Sequence, residues 1–576
     1  MAVRERIWVV DNDPSPTYPI YTRGNVGEVF PDTVGPLSWT MFGIPGAEPG
    51  WRDAFVRFGV FDQDEFDPDN LEILGVFGGY CYLNVSISRI FGVRVPGLTP
   101  ELVDQSIWGE MPGVPPYRPM PTDESPEHTE RIQQTIGWIF TTQDLPELKE
   151  DQKRVQAIRE SRPDLSSLSD EELVARMRSF LPIFRELFAQ HLFISYGAIT
   201  VVGTIAGICD QALGDPSLAM RLVAGVGDVD SAAPSFEMWR LGRLVSDTPA
   251  LAEIFDRDPA GALDALRERP EAGEFLQGFD RFIHEYGSRG PNEWEMRCST
   301  WETEPALALV AIDRMRVSDA SGDPARSQQR LAADRESLTK DVLDKLSAAP
   351  EAQGQMGAAL NAAKLFMPGR ERTKTTIIKV TQEVRLAARE LGRRLTEAGA
   401  FDRPENIGMM RDDELDELIA NPKKWRETML ERERLFEKLQ NLEPPFIIDG
   451  TVPPIEEWKQ RDRSAQHVDA GTTLTGLSGC PGEARGRARV ILSPFDGGEL
   501  EPGDVLVAPI TDPSWTPLFV PASAVVVDVG APLSHAVIVS RELGIPCVVS
   551  VTDATRKIPD GAEVEVNGTN GTVTVL

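Results

Sequence analysis

His535 stands where two patterns meet in "GAPLSHAVIVSRELGIP", residues 530–546. Ahead of it Ala524–Val527 reads as an apolar strand, closed by Val529-Gly530. Behind it Ala536 to Leu543 has helical spacing, stopped by Gly544 and Pro546. A histidine on the first turn of a helix can be a packed core residue, a metal ligand or a nucleophile. No second His or Cys stands nearby at ligand spacing, which weighs against the metal. Backbone N–H groups at a helix start are unpaired and carry partial positive charge, so the place favours a phosphate or another anion. The same field disfavours an imidazolium. A neutral imidazole is a competent nucleophile, and a phosphoryl group on it would be held by those N–H donors. Gly530 and Ser534 are the candidate phosphate-binding positions beside it.

Two other stretches carry charge at useful spacing. In "GRERTKTTIIKV" Arg370 and Lys374 are four apart ahead of a helical pattern, so they can share one face at its beginning. An arginine fork with a lysine point charge suits a transferring phosphoryl group, while a solvated basic turn beside Arg372 is the plainer reading. In "DRFIHEYGSRGPNEWEMRCSTWETEP", residues 280–305, Arg289 and Glu293 are either functional or an ion pair that orders the loop. His284 and Glu295 are candidates to accept a substrate proton, although a loose transition state reduces the need for a strong base.

The elements that must hold these groups fall into three textures. Residues 1 to about 130 are rich in Pro, Gly and aromatics, with short apolar pieces such as Tyr80-Cys81-Tyr82-Leu83. From there to 440 the spacing is helical, with Ser169-Asp170 as a cap and Leu173, Met177, Phe180, Ile183, Phe184 and Leu187 on one face. Residues 412–440 read as a charged surface helix. Residues 441–470 carry two Pro pairs and read as an extended linker. Beyond it, short β-branched runs punctuated by Gly, Pro and Asp surround one helix, 535–543. The expectation is a multidomain chain, with a mainly α-helical substrate (acceptor) domain over 1–440, a linker over 441–470 and a small α/β domain over 471–576.

Totals narrow the function classes. A chain of 576 residues exceeds one core. A formal net charge of −31 argues against nucleic-acid or anionic-membrane partners. Five scattered cysteines make no C-x-x-C pair, and no leader or apolar run near a membrane span stands out, so a cytoplasmic protein is expected.

"GAPLSHAVIVSRELGIPCVV", with "PGEARGRARVI", "TDPSWTPLF" and "DATRKIPDGAEVEVNGTNGTVTV" in order around it, closely resembles the swivelling phosphohistidine domain of the phosphoenolpyruvate-utilising enzymes. The resemblance implies that His535 carries phosphate between two active sites. Val529 departs from it, since the family usually has a second Gly there. "YGSRGPNEWEMRCSTWETEP", "GRERTKTTIIKV", "TRGNVGEVFPDTVGPLSW" and "YCYLNVSISRI" are similar to the substrate domain of rifampin phosphotransferase and its relatives. That likeness implies roles for Arg370, Lys374, Arg289, Glu293 and His284, with Tyr286, Glu295, Trp301 and Tyr82 toward the substrate. Trp39, Phe42, Tyr80 and Tyr82 are pocket candidates, with core packing as the alternative for each.

No Walker A motif or other glycine-rich nucleotide loop stands in the chain. The arrangement resembles phenylphosphate and 4-methylphenyl (p-cresol) phosphate synthases, whose ATP-binding and histidine-bearing parts lie on different chains. It implies an ATP-grasp partner subunit that binds ATP and Mg²⁺, no tightly bound cofactor here, and a phenolic acceptor. Two alternatives stay open: an antibiotic-type, rifampin-like phosphotransferase with its donor in trans, and a non-enzymatic phosphocarrier or regulatory protein.

Overall fold

Short apolar strands near the start pair antiparallel: β1 (Ile20–Thr22), β2 (Leu74–Phe77) and β3 (Tyr80–Asn84), in the order β2-β3-β1. The computed structural model describes residues 7–108, 113–227, 230, 232–317, 323–461, 464–494, 500–531 and 534–576. Between β1 and β2 lies the four-residue helix α1 (Val26–Val29). The sheet's fourth strand, β4 (Ile447–Asp449), comes from the segment expected to be a linker and pairs with β1. Leu442–Glu443 also pairs with Lys459–Gln460, and Trp458 packs on Tyr80. The Pro pairs end these strands without preventing them. Residues 464–471 lie on the C-terminal unit, where Gln466 and Val468 N–H donate to Arg556 and Lys557 carbonyls. Little of 441–470 is therefore a free tether; Asp462 and Arg463 of that stretch lie outside the described residues.

Ser169 caps the first long helical run, its hydroxyl accepting from Glu172 N–H while the Glu172 carboxylate accepts from Ser169 N–H. The run breaks at Phe180, and α2 (Leu181–Leu213) follows with Pro182 in its first turn. Residues 192–209 of α2 carry no charge. By length and composition this helix is apolar enough to cross a membrane, contrary to the sequence expectation, and half of its apolar window is buried in the protein. Its buried face lies along a later helix. Helices α3 (Ala233–Asp247), α4 (Gly273–Tyr286) and α5 (Pro305–Val317) enclose a separate core of Met238, Phe275, Phe279, Phe282, Trp301 and Ile312. Helix α6 (Pro324–Lys345) leads into α7 (Pro350–Glu397), 48 residues long.

Arg370 and Lys374 lie in the middle of α7, not at a helix start. Gly354, Gly357, Pro368 and Gly369 suggest a break, but burial of this stretch against α2 holds it helical, and the Thr373 hydroxyl donates back to Gly369 O at 3.0 Å. The charged stretch 412–440 is instead divided, because Asn421-Pro422 interrupts it before Arg426–Gln440.

The C-terminal unit is an eight-stranded sheet with strands β5 (Thr473–Thr475), β6 (Leu477–Cys480), β7 (Glu483–Val490), β8 (Val505–Ala508), β9 (Ala524–Val527), β10 (Cys547–Val549), β11 (Glu563–Asn567) and β12 (Thr572–Val575). The spatial order is β5-β12-β11-β7-β8-β9-β10-β6, and β7, β8, β9 and β10 run parallel. Both faces of β8 and β9 are covered, which is why "VLVA" and "AVVV" are continuously apolar. Helix α8 (Thr516–Phe519) and helix α9 (His535–Leu543) cover one face. Ser534 stands at the N-cap position of α9 without a side-chain capping hydrogen bond, and Gly544 ends the helix in the left-handed region at φ 70°, within the bounds the sequence predicts. Pro532 and Leu533 lie outside the described residues.

Candidate active site

His535 sits at the first position of α9, beyond the carboxyl end of β9. Thr511, which follows β8, places its hydroxyl 3.1 Å from His535 Nδ1. Thr516 on α8 places its hydroxyl 3.2 Å from Nε2, and the Phe519 ring meets the imidazole edge-on at 5.9 Å. Both ring nitrogens are thus fixed by hydroxyls that can donate or accept. Gly530 lets the chain pass close to β10: a Cβ there would stand 2.8 Å from Val549 Cβ and 3.2 Å from Ser534 Oγ. The Ser534 hydroxyl is buried and has no hydrogen-bond partner among the described residues, although it occupies the cap position. Gly530→Ala is expected to lower the stability of the C-terminal unit by about 1–3 kcal/mol in denaturant unfolding, since a β-carbon on a sheet cannot move aside.

The histidine faces the helical part. Burial first, then Lys374 and Arg289, hold its imidazole well below the ordinary value, with Glu371 opposing. At neutral pH the ring is uncharged. Arg289 and Glu293 are almost wholly buried; Arg289 Nε lies 3.2 Å from Glu293 Oε2, and Lys374 Nζ lies 3.3 Å from Glu293 Oε1. Arg289 Nη1 donates to the Thr375 hydroxyl at 3.2 Å, and Arg370 pairs with the neighbouring Glu371. The loop bearing Arg289 and Glu293 is fixed from behind by Arg385 on α7, whose Nη2 donates to the carbonyls of Glu293 (2.6 Å) and Glu295 (3.2 Å). Across the junction, the Asp512 carboxylate accepts from Asn292 N–H at 2.9 Å. Burial raises the Asp512 carboxyl above its usual range, against the pull of its Ser514 and Asn292 donors.

The structure therefore brings together His535, Ser534, Gly530, Arg289, Glu293, Arg370 and Lys374. It puts the remaining candidates to other work. The Glu295 carboxylate accepts from Gly35 N–H at 2.8 Å and Ser38 Oγ at 2.6 Å, tying its loop to the chain's start. The His284 ring meets Gln156 at 3.2 Å in an exposed position. Trp301 and Tyr286 pack on Phe282 in the second core, and burial pushes the Tyr286 phenol up to about 12. Tyr82 donates to Pro445 O at 2.8 Å, and Trp39, Phe42 and Tyr80 are core residues.

Groups the sequence did not single out also converge here. His191 on α2 holds the Thr373 hydroxyl at 2.9 Å, and burial, then Arg370, push its imidazole down to about 3. Burial pushes the Glu28 carboxyl on α1 up to about 8, against the pull of the Arg370 and Lys374 charges. Phe188, one turn before His191, meets Trp294 edge-on at 6.2 Å and stacks on Phe184, while Trp294 Nε1 is buried without a hydrogen-bond partner among the described residues. For Thr511 one signal was available, because polar residues at the carboxyl ends of adjacent parallel strands commonly face a ligand site.

Two stretches of the chain match known protein families. Residues 190–371 match the rifampicin phosphotransferase fourth domain, and residues 500–571 match the PEP-utilising enzyme mobile domain. In these two stretches the chain resembles the PEP-utilising proteins, rifampicin phosphotransferase among them. His191, Arg289, Glu293 and Arg370 fall inside the first match, and His535 inside the second. An uncharacterised protein of Mycobacterium tuberculosis is 34% identical over 321 residues, 55% of this chain and 33% of its own length. A rifampicin phosphotransferase of a Streptomyces species is 27% identical over 437 residues, 73% of this chain and 50% of its own. The prodigiosin synthesizing transferase PigC of Serratia marcescens is 29% identical over 427 residues, 72% and 46% respectively. The chain spans between a third and a half of these curated relatives.

Proposed function

We propose that this chain is a phosphotransferase that passes a phosphoryl group from His535 to the hydroxyl of a small phenol, of the phenol or p-cresol type, making an aryl phosphate. The observation that carries the reading is the meeting of a neutral imidazole at a helix start with Lys374 and Arg289 of the other unit. The acceptor oxygen bonds to phosphorus as the P–N bond to His535 breaks, the electron pair returns to the ring, and the hydroxyl proton leaves. Arg370 and Lys374 offset the charge on the three phosphoryl oxygens during that passage. The α9 N–H groups and the spare Ser534 hydroxyl hold the phosphate while it waits. Phe184, Phe188 and Trp294 supply an apolar, aromatic flank for a ring. In this reading an ATP-grasp partner subunit, with ATP and Mg²⁺, loads His535, and the C-terminal unit leaves the acceptor site to be loaded.

A second reading, transfer to a larger antibiotic hydroxyl, is favoured by the rifampicin phosphotransferases among the relatives. One experiment separates them. The chain is loaded on histidine with phosphoramidate, a general chemical donor to imidazoles, and offered phenol, p-cresol and rifampicin in turn. The phenol reading expects the acid-labile phosphate to move to phenol or p-cresol, with the aryl phosphate seen by mass spectrometry. Transfer to rifampicin alone selects the second reading. Discharge to none of the three leaves a carrier without an acceptor and sinks the proposal.

A further inference from the structure

Away from the phosphoryl site, Asp62 and Glu65 meet His128 at the start of the helix Pro126–Thr141. Ser125 caps that helix, its hydroxyl accepting from His128 N–H, and the same oxygen lies 2.6 Å from His128 Nδ1. A proton on Nδ1 shared with Ser125 leaves the ring's lone pair on Nε2. His128 is 7% exposed, and Nε2 makes no hydrogen bond among the described residues. Glu65 Oε2 and Asp62 Oδ2 nevertheless lie 3.2 and 3.4 Å from it, both off the in-plane direction along which a ring N–H would point. Arginines hold the two carboxylates from outside. Arg94 donates to Glu65 Oε1 at 2.6 Å and Oε2 at 3.1 Å, and Arg131 donates to Asp62 Oδ1 at 2.8 Å and Oδ2 at 3.1 Å. Arg94 is itself fixed by the carbonyls of Val60, Thr122 and Asp123.

We infer that His128 Nε2, Asp62 Oδ2 and Glu65 Oε2 form a structural binding site for a divalent cation of the zinc type. A lone pair and two carboxylate oxygens are all electron donors, and a cation is the partner that satisfies the three together. Zinc takes nitrogen and oxygen donors at about 2.0–2.2 Å in tetrahedral geometry, which sets neighbouring donors roughly 3.3–3.5 Å apart. Nε2 stands at close to that spacing from both oxygens. An imidazole among carboxylates suits zinc better than magnesium or calcium, which prefer oxygen alone. Burial, then the Arg94 charge, hold the imidazole below its ordinary value with Glu65 opposing, so the ring is in its neutral, ligating form. Ser125 fixes the tautomer, and the two arginines orient the carboxylates, as outer partners of metal ligands commonly do. The arginines also offset the two negative charges, so the ion is held by its bonds and their geometry. The Asp62 side chain is half-exposed and that of Glu65 partly so, which gives the ion an entry path and a water for its fourth position. Bound there, the ion ties residues 62–65 to the helix start at 126–128, far along the chain.

The test titrates Zn²⁺ alone, by calorimetry, into the full chain after dialysis against a chelator, with Mg²⁺ titrated in parallel. The wild type is expected to bind one Zn²⁺ in preference to Mg²⁺. His128→Ala should abolish that event, and Asp62→Asn should weaken it by roughly 10-fold or more. Asp62 is half-exposed, so its variant keeps the fold where a change at the buried histidine may not. Thermal unfolding reads the same site independently: Zn²⁺ should raise the wild-type midpoint and leave that of Asp62→Asn in place. A wild type that takes up no Zn²⁺, wild-type Zn²⁺ affinity in Asp62→Asn, or equal affinity for Mg²⁺ overturns the inference, and none of these outcomes touches the phosphotransferase reading.

Discussion

His535→Ala is expected to take no acid-labile phosphate from phosphoramidate at this position and to lose transfer by roughly 10³-fold or more, because the covalent intermediate cannot form. The loss should come without unfolding. The ring is held by two threonine hydroxyls and one aromatic edge at the rim of the C-terminal unit, not by the interior of its core, where Leu506, Val525, Val527 and Val537 lie. Thr511 and Thr516 are left facing a space that water can fill, so denaturant midpoints should stay close to wild type. A histidine kept for packing would behave oppositely, with a lowered midpoint and residual transfer in proportion to folded protein. The measurement is paired: acid-labile phosphate and product formation on one side, unfolding on the other. Product formed by His535→Ala at the wild-type rate removes the proposal's central residue.

What the sequence made readable was mostly local. Helix α9 could be bounded to the residue because a serine cap and a left-handed glycine are short-range signals. The helical spacing after Ser169 reflects a capping box closed within four residues. The central strands of the C-terminal sheet announce themselves by apolar runs covered on both faces. The misreadings share another cause, partners far away in the chain. Residues 447–449 read as linker because nothing nearby says that residues 20–22 wait to pair with them. Glu295 looked catalytic because a carboxylate in a loop has no local mark of the Gly35 and Ser38 donors that engage it. His191 escaped notice for the complementary reason: its partner Thr373 and the charge of Arg370 lie on a helix more than a hundred residues away. Arg370 and Lys374 were found, but at the wrong point of their helix, since propensity weighs Pro368 and Gly369 as a break and tertiary burial outweighs propensity.

Lys374→Met should leave loading intact and slow transfer by roughly 10²–10³-fold, the usual loss when one preorganised charge is removed from a developing anion in a dry site. Loading is spared because Lys374 belongs to α7 and reaches His535 only when the two units are docked. The substitution has a second consequence that does not depend on activity. Lys374 is the leading charge that depresses the His535 imidazole, so its loss should raise the pH at which His535 titrates. Glu293 keeps Arg289 as a partner, so the buried carboxylate is not left alone and the loop should hold. Histidine NMR across pH 4–8 reads the shift, and rapid-quench discharge of the phosphorylated chain reads the transfer. Arg370→Glu should impair transfer similarly, but it adds a third carboxylate to Glu371 and Glu28, so part of its effect is repulsion of the phosphoryl group. If Lys374→Met slows loading as much as transfer, the lysine acts before docking, and the acceptor-side role assigned to α7 is wrong. If the His535 titration does not move, the two units do not meet in solution as they do here, and the relay needs a different acceptor face.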